Sequence, residues 1–259
     1  MKITILGCGS SGGVPVLRYG WGDCDPGNIK NRRSRSSILI EVGNTSLLVD
    51  TSPDLRQQLL DNGIDKIDAV IFTHSHYDHV GGINELRPIF CGNSALLPIY
   101  ATELDLAMIK KSHFYLFEEN KQEIYRTYLE PHILYEKFSI GDISGITFVQ
   151  DHGFSSSLGI RIGSFAYSTD VVSLSSANFE TLKGIDSWVV GCQSLKDPKP
   201  THAHLDLVLK WVSEISPSRT FLTHMGDSMD YETLLQTLPT SIRPAYDGMI
   251  IRPLSPFTL

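Results

Sequence analysis

The chain has 259 residues, 41% of them hydrophobic, which is enough for one large domain with a sizeable core. Lysine and arginine number 22 against 29 acids, and the resulting net charge of −7 argues against a non-specific nucleic-acid binder. No stretch reaches the ~18 apolar residues of a membrane span, no secretory leader pattern opens the chain, and four cysteines at 8, 24, 91 and 192 lie too far apart for a disulfide framework, so a cytoplasmic protein with free thiols and no membrane partner is expected.

In chain order, Lys2-Ile3-Thr4-Ile5-Leu6 reads as a strand. It runs into Gly7-Cys8-Gly9-Ser10-Ser11-Gly12-Gly13-Val14-Pro15, where Gly7, Gly9 and Gly12 spell a dinucleotide fingerprint. That fingerprint needs a helix opening at its third glycine and an acidic residue after the next strand. Pro15 and the turn Asp25-Pro26-Gly27-Asn28 leave a helix no room. Two readings remain: a flexible connection between strands, or a loop whose backbone N–H groups approach an anion. The basic run Lys30-Asn31-Arg32-Arg33-Ser34-Arg35 is either a solvated loop or an anion-binding patch.

Residues 36–42 and 46–50 read as strands joined at Gly43-Asn44. Residues 53–60 read as a helix with Ser52 as N-cap and Pro53 at its first position. A buried strand over 68–73 follows, then a strand over 97–100 and a helix over 102–111. The aromatic-rich segment 113–137 carries no usable period, and its His113 and His132 receive no role. Further strands are expected over 146–150, 158–162, 165–168, 187–191 and 219–223, and a closing one over 249–252. The spacing of Leu205, Val208, Leu209 and Val212 predicts a helix over 204–215, and a last helix spans 231–238. Two batches of strands, each mixed with helices, predict two mixed sheets with helices outside, in one α/β domain over residues 1–259.

The chemistry is densest at Thr73-His74-Ser75-His76-Tyr77-Asp78-His79, directly after an apolar strand. At i and i+2, His74 and His76 project to one side of an extended chain. Asp78 and His79 follow where the chain turns, and Gly81-Gly82 permits a tight bend. Such a set of imidazoles and a carboxylate suits a divalent cation. Downstream, His152, Asp170 and His224 each stand just past an apolar strand, where open sheets place their sites. A histidine so placed is, by itself, more often an ordinary structural residue; it is the repeated pattern that singles them out.

On these residues the sequence resembles the metallo-β-lactamase superfamily: H-x-H-x-D-H at 74–79, then His152, Asp170 and His224, with Asp50 after an earlier strand. The resemblance implies a four-layer αββα sandwich, the metallo-β-lactamase fold, with two metals between the sheet edges. It implies that His74, His76 and His152 hold one metal, that Asp78, His79 and His224 hold the other, and that Asp170 bridges them. Asp50 would order the ligand loop through hydrogen bonds. The opening Gly-Cys-Gly-Ser-Ser-Gly-Gly-Val-Pro, the arginines at 32 and 33, His204-Leu205-Asp206-Leu207, Thr223-His224 and Tyr246-Asp247-Gly248-Met249 add a closer likeness to the phosphoribosyl 1,2-cyclic phosphate phosphodiesterase-like branch. That likeness implies a phosphodiesterase acting on a small cyclic or nucleotide-like substrate. Ser10, Ser11, Gly12 and Arg33 would face its phosphate, and Asp247 would support the site from behind. Some of these relatives carry a structural zinc on several cysteines and an extra histidine. Here the loop has only Cys24, and Asp227 stands near the histidine's place.

Two cations sharing a hydroxide make a nucleophile at neutral pH. Histidine and carboxylate without thiolate suit Zn²⁺, and equally Mn²⁺ or Fe²⁺. Asp78 is the catalytic carboxylate. His204, which opens a helix and is not needed as a ligand, is the expected proton donor, and its replacement by alanine should lower turnover and leave metal content unchanged; a capping or surface role is the competing reading. His202 is read as an ordinary residue. The partner expected is a small-molecule phosphodiester, with a homodimer left open. The rivals are a tRNA 3′-end nuclease, against which the charge argues, a glyoxalase II-type thioesterase or lactonase, and a metal-binding carrier without turnover.

Overall fold

A computed structural model describes residues 1–90, 95–117 and 127–254. Its first sheet holds β1 (Lys2–Gly7), β2 (Ser37–Val42), β3 (Thr45–Val49), β4 (Ala69–Ile71), β5 (Leu97–Ala101), β6 (Leu129–Ile133) and the late strand β14 (Ile250–Ile251). Its second holds β7 (Lys137–Ile140), β8 (Ile143–Asp151), β9 (Ser156–Ile162), β10 (Phe165–Ser168), β11 (Ser187–Gly191), β12 (Arg219–Thr223) and β13 (Ile242–Pro244). The helices are α1 (Leu55–Asp61), α2 (Tyr77–Val80), α3 (Arg87–Phe90), α4 (Glu103–Ser112), α5 (Ser176–Leu182), α6 (Leu205–Ile215) and α7 (Tyr231–Thr237).

Alternation along the strands sorts the layers. Ile38, Ile40, Leu47, Val49, Ala69 and Ile71 lie in one buried cluster with Ile160, Ile162, Phe165 and Tyr167 of the second sheet. Leu39, Leu48, Val70 and Phe72 lie in another, with Leu55 and Leu59 of α1 and Leu106 and Ile109 of α4. Both faces of the first sheet are therefore buried. On the second sheet, Trp188 of β11 meets Trp211 of α6 with ring centroids 6.5 Å apart. The result is the αββα sandwich. Register is set by the same residues: Ile38 faces Ile5 and Val49, and Leu39 faces Thr4 and Leu48. A slip of one residue would turn Glu41 toward the inter-sheet core and forfeit ~1.5–3 kcal/mol for each large apolar side chain it exposed.

Each sheet is half antiparallel and half parallel. The order is β14-β1-β2-β3-β4-β5-β6 in the first and β13-β12-β11-β10-β9-β8-β7 in the second. The pairs β3–β4, β4–β5 and β5–β6 are parallel, as are β10–β11, β11–β12 and β12–β13. The parallel strands end on a common edge, and this edge carries the site. Asp50, Asp170 and His224, each within two residues of a strand end, adopt left-handed backbone with φ of 64°, 49° and 53°. That conformation is uncommon outside glycine and concentrates at functional sites.

The expected helix over 53–60 begins later, at Leu55; Ser52 Oγ accepts from the Asp54 N–H at 3.1 Å and so closes a turn ahead of the helix instead of capping it. The elements α2, α3, α5, β6, β7 and β13 were not expected. The α5 segment is short and has only Phe179 and Leu182 as large apolar residues; a capping box between Ser175 and Asn178 starts it. Part of the aromatic segment 113–137, residues 118–126, lies outside the described residues, as does Cys91. No helix among the described residues is long and apolar enough to cross a membrane.

Candidate metal centre

The motif after β4 folds as its spacing predicts. His76 is extended, with φ −66° and ψ 151°, and α2 starts at the next residue, carrying Asp78 and His79 inward. Gly82 is needed at the bend, because a Cβ there would lie 2.0 Å from the Ser52 carbonyl oxygen. The sheet edges then bring in the distant residues. His152 Nε2 lies 3.3 Å from His76 Nδ1, which lies 2.9 Å from His74 Nε2. Asp78 Oδ2 lies 3.3 Å from His79 Nε2 and 3.4 Å from His224 Nε2. Two groups result, His74–His76–His152 and Asp78–His79–Asp170–His224.

Asp170 joins them. Its Oδ1 lies 3.9 Å from His74 Nε2, 3.6 Å from His152 Nε2 and 3.4 Å from His224 Nε2, and its Oδ2 lies 3.0 Å from His79 Nε2. Asp170 is buried, as are His74, Asp78, His79, His152 and His224, while His76 is exposed and opens the first group to solvent.

Hydrogen bonds on the far ring nitrogens fix which nitrogen faces inward, the usual arrangement around a metal ion. His79 Nδ1 is 2.7 Å from Asp50 Oδ2. Asp50 also accepts from the Thr73 N–H at 2.7 Å and the Thr73 hydroxyl at 2.8 Å, so it ties the motif to the end of β3. His74 Nδ1 is 3.0 Å from Thr73 Oγ1, and His152 Nδ1 is 2.7 Å from the Thr201 carbonyl oxygen. The inward Nε2 of His79 is buried and meets hydrogen-bond geometry with no partner, despite the carboxylate oxygens beside it. A lone pair so placed fits a cation.

The electrostatics agree with that fit. Burial, aided by His79, depresses the pKa of His74, and burial likewise depresses that of His152, so both offer neutral lone pairs. Burial opposes charge on His79, but Asp170, Asp50 and Asp78 outweigh it and raise its proton affinity. Burial also opposes ionisation of Asp78 and Asp170, yet the neighbouring imidazoles hold both carboxyls below their usual range. The negative charge gathered here is what divalent cations neutralise.

The remaining expected residues are placed differently. Ser10 is buried and spends its N–H on the Met225 carbonyl, at 3.0 Å. Ser11 and Gly12 are exposed, and their N–H groups make no backbone hydrogen bond among the described residues. Gly12 lines a cavity of about 560 Å³ with Arg35, Asp54 and Asn62, and none of the clustered histidines lines it. Gly7 and Gly9 have a steric reason: a Cβ would lie 2.1 Å from the Arg35 carbonyl oxygen and 2.8 Å from that of Arg33. Arg33, expected to face a phosphate, is 1% exposed, and its guanidinium donates to the Met229 carbonyl at 2.6 Å and Asn31 Oδ1 at 3.2 Å. It also lies 3.9 Å from Cys24 Sγ; among the described residues no candidate metal group includes Cys24. Asp247 accepts from the Cys8 N–H at 3.1 Å, the Ser34 N–H at 2.7 Å and the Ser34 hydroxyl at 2.6 Å, which pins the glycine loop against the basic run.

His204 immediately precedes α6, its side chain makes no capping hydrogen bond, and it does not belong to any metal-competent group among the described residues. His202 does. Its ring stacks on His224 at 4.7 Å and meets His152 edge-on at 4.9 Å, and its Nδ1 is 3.7 Å from Asp170 Oδ1. Local pattern shows no sign of this, since no period or strand precedes His202. Backbone bonds place it: the Ala203 N–H donates to Val171 O at 2.8 Å, and the Gln193 N–H donates to Ala203 O at 2.9 Å.

Burial raises the Asp247 pKa from 3.8 to about 6. Folding therefore gains stability from this group below about pH 4 and loses it as the pH rises through 6. The thermal midpoint of the wild type minus that of Asp247→Asn should fall between pH 4 and 6, by an amount equivalent to roughly 2–3 kcal/mol. A constant difference would contradict the burial argument.

An αββα sandwich with this histidine–aspartate cluster on the shared sheet edge defines a metallo-β-lactamase-fold protein. The family described as Beta-lactamase superfamily domain matches residues 45–225, and the chain belongs to it. A solved structure titled as a new diphosphatase from the PhnP family superimposes with a TM-score of 0.89, at 30% identity over 97% of each chain. Zn²⁺-bound PqqB from Methylobacterium extorquens shares the fold, with a TM-score of 0.76 at 19% identity over 97% of this chain and 100% of that one. A relative from Porphyromonas gingivalis named octanoyltransferase is 30% identical over 255 residues; the match covers 96% of this chain but only 51% of the relative, so the chain spans about half that protein's length.

Proposed function

We propose that the protein is a dinuclear-metal hydrolase that cleaves a small phosphodiester, cyclic or nucleotide-like. The observation that carries this is Asp170, one buried carboxylate facing two separate ligand groups. His74 Nε2, His76 Nδ1 and His152 Nε2 would hold one cation. Asp78 Oδ2, His79 Nε2 and His224 Nε2 would hold the other, and Asp170 would serve both. Two such ions would acidify a water and draw charge from the phosphoryl oxygens. Nitrogen and carboxylate donors without thiolate suit Zn²⁺, Mn²⁺ or Fe²⁺. Asp78 Oδ1 makes no hydrogen bond among the described residues, and in this reading it takes the proton of the attacking water. Exposed His76 marks the side from which substrate enters. The resemblance to the PhnP-family diphosphatase supports phosphorus chemistry over thioester chemistry.

The test is hydrolysis of bis-p-nitrophenyl phosphate, cyclic phosphates, nucleotides, diphosphates and thioesters by protein reconstituted with Zn²⁺ or Mn²⁺. Turnover of a phosphoester is expected, abolished by a chelator and restored by metal. Two bound ions with no turnover of any ester would make the protein a metal carrier instead.

A further inference from the structure

The cavity of about 560 Å³ beside the glycine loop is lined by none of the clustered histidines, yet it adjoins them. At one wall the Ser10 N–H bonds to Met225, the neighbour of His224, and Gly12 follows two residues later. At another stands Arg35, whose guanidinium forks onto Asp54 through Nε, at 2.7 Å, and Nη2. That bond is the main cause raising the Arg35 pKa; burial opposes it, and Tyr77 and Asp78, from the histidine motif itself, add to the rise. The cavity therefore lies on the Asp78 and His224 side of the centre.

Size and charge narrow the occupant. Pockets of ~300–1,000 Å³ enclose ligands of drug size, and a lone cyclic sugar phosphate would leave much of this space open. Arg32, Arg33 and Arg35 on the walls are matched by Asp54, Asp61 and Asp247. Two of the arginines are already engaged, Arg33 by Met229 and Asn31, and Arg35 by Asp54. Such a balance suits a neutral polar group better than a further anion. Part of the lining is apolar, with Val14, Pro15 and Leu17, and Leu17 is 91% exposed. Part is polar, with Gln57 and Asp61 on α1 and Asn62 just past it. Asp61 accepts from Gln57 Nε2 through Oδ1, at 2.6 Å, and its Oδ2 makes no hydrogen bond among the described residues. A flat ring with apolar faces and a hydrogen-bonding edge meets both parts.

Resting on the phosphodiesterase reading above, we propose that this cavity takes the nucleoside of a nucleotide substrate. The base would lie on Val14, Pro15 and Leu17 with its polar edge toward Gln57, Asp61 and Asn62, and the phosphodiester would sit at the metal-competent groups.

Adenosine 5′-(p-nitrophenyl phosphate) and bis-p-nitrophenyl phosphate share a leaving group and differ by the nucleoside, so the ratio of their kcat/KM values reads the cavity. In wild type loaded with Zn²⁺ the ratio should exceed ~10, the scale of one large apolar contact. Leu17→Asp removes part of the apolar wall and Gln57→Trp fills the space; each should lower the ratio about 10-fold, through KM. Both side chains are exposed, so both variants should keep the far-UV circular dichroism of wild type. Calorimetric titration with adenosine 5′-monophosphate needs no turnover, and its Kd should rise about 10-fold in each variant. Equal kcat/KM on the two esters, with a ratio and a Kd that neither variant moves, overturns the proposal and leaves the phosphodiesterase reading standing. Hydrolysis of neither ester overturns that reading, and the titration then decides the cavity: a Kd raised by both variants upholds it as a nucleoside site, and an unchanged Kd or no binding overturns it.

Discussion

On the proposed two-metal reading, Asp170→Asn is expected to reduce bound metal from two ions per chain to one or none and to lower phosphodiester turnover by ~10³ or more. The size follows from position. Removing one fixed electrostatic donor from a reaction centre lowers rates ~10²–10³, and Asp170 faces both groups at once, with its two oxygens 3.0–3.9 Å from His74, His79, His152 and His224. The asparagine preserves the volume but removes the charge that opposes two cations in a buried space. It also turns a donor toward the Thr169 hydroxyl, which now donates to Asp170 Oδ2 at 2.6 Å. Asp50→Asn offers an internal scale. Among the described residues the Asp50 carboxylate hydrogen-bonds only His79 and Thr73, so its replacement should cost the ~10–100-fold typical of a residue that orients a ligand. Metal analysis and bis-p-nitrophenyl phosphate hydrolysis, measured on both variants, check the order. Asp170→Asn with two ions and near-normal turnover would remove the shared ligand from the account.

Much of this centre was legible because the fold advertises it locally. Each of His74, Asp170 and His224 lies just past an apolar strand whose pattern is visible over a few residues, and the spacing of His74 and His76 fits an extended chain that turns at Asp78 and His79; that the turn is the helix α2 was not visible. The two-layered core was legible for the same reason: Ile38 and Ile40 against Leu39 is a period of two with both faces apolar. What escaped is set by contacts between residues far apart in sequence. The two histidines at 202 and 204 are indistinguishable by local pattern. Helical spacing begins just after His204 and draws attention to it, whereas His202 is delivered to the cluster by Ala203 bonding to Val171 and Gln193. The glycine loop was separable from a cofactor fingerprint by its proline and turns, but the close approach of Arg33 and Arg35 to Gly9 and Gly7 was not visible.

Arg33 is the sharpest case, because charge alone places it on the surface. Its partners, Met229 and Gly226, lie 196 and 193 residues away, in the loop that follows His224. Asn31 extends the chain of bonds, donating to Asp230 Oδ2 at 2.7 Å, and Asp230 in turn caps α7 by accepting from the Thr233 N–H at 2.9 Å. Arg33 therefore joins the basic run to the loop carrying the last histidine of the cluster. Each lost hydrogen bond to a charged donor costs ~1.5–3 kcal/mol, and the void left by alanine adds to that. Removing the guanidinium also relieves the desolvation of a buried charge, so the net for Arg33→Ala should be about 3 kcal/mol, a fall of roughly 6–12 °C in thermal midpoint. Arg33→Met fills the space but leaves the Met229 carbonyl without its donor, while Asn31 Oδ1 keeps the Tyr231 N–H at 2.8 Å, and should fall between alanine and wild type. Thermal unfolding with and without chelator measures this. A phosphate-binding arginine would behave in the opposite way, raising KM in the variant with the midpoint unmoved; that result would return Arg33 to the substrate and dissolve the strut.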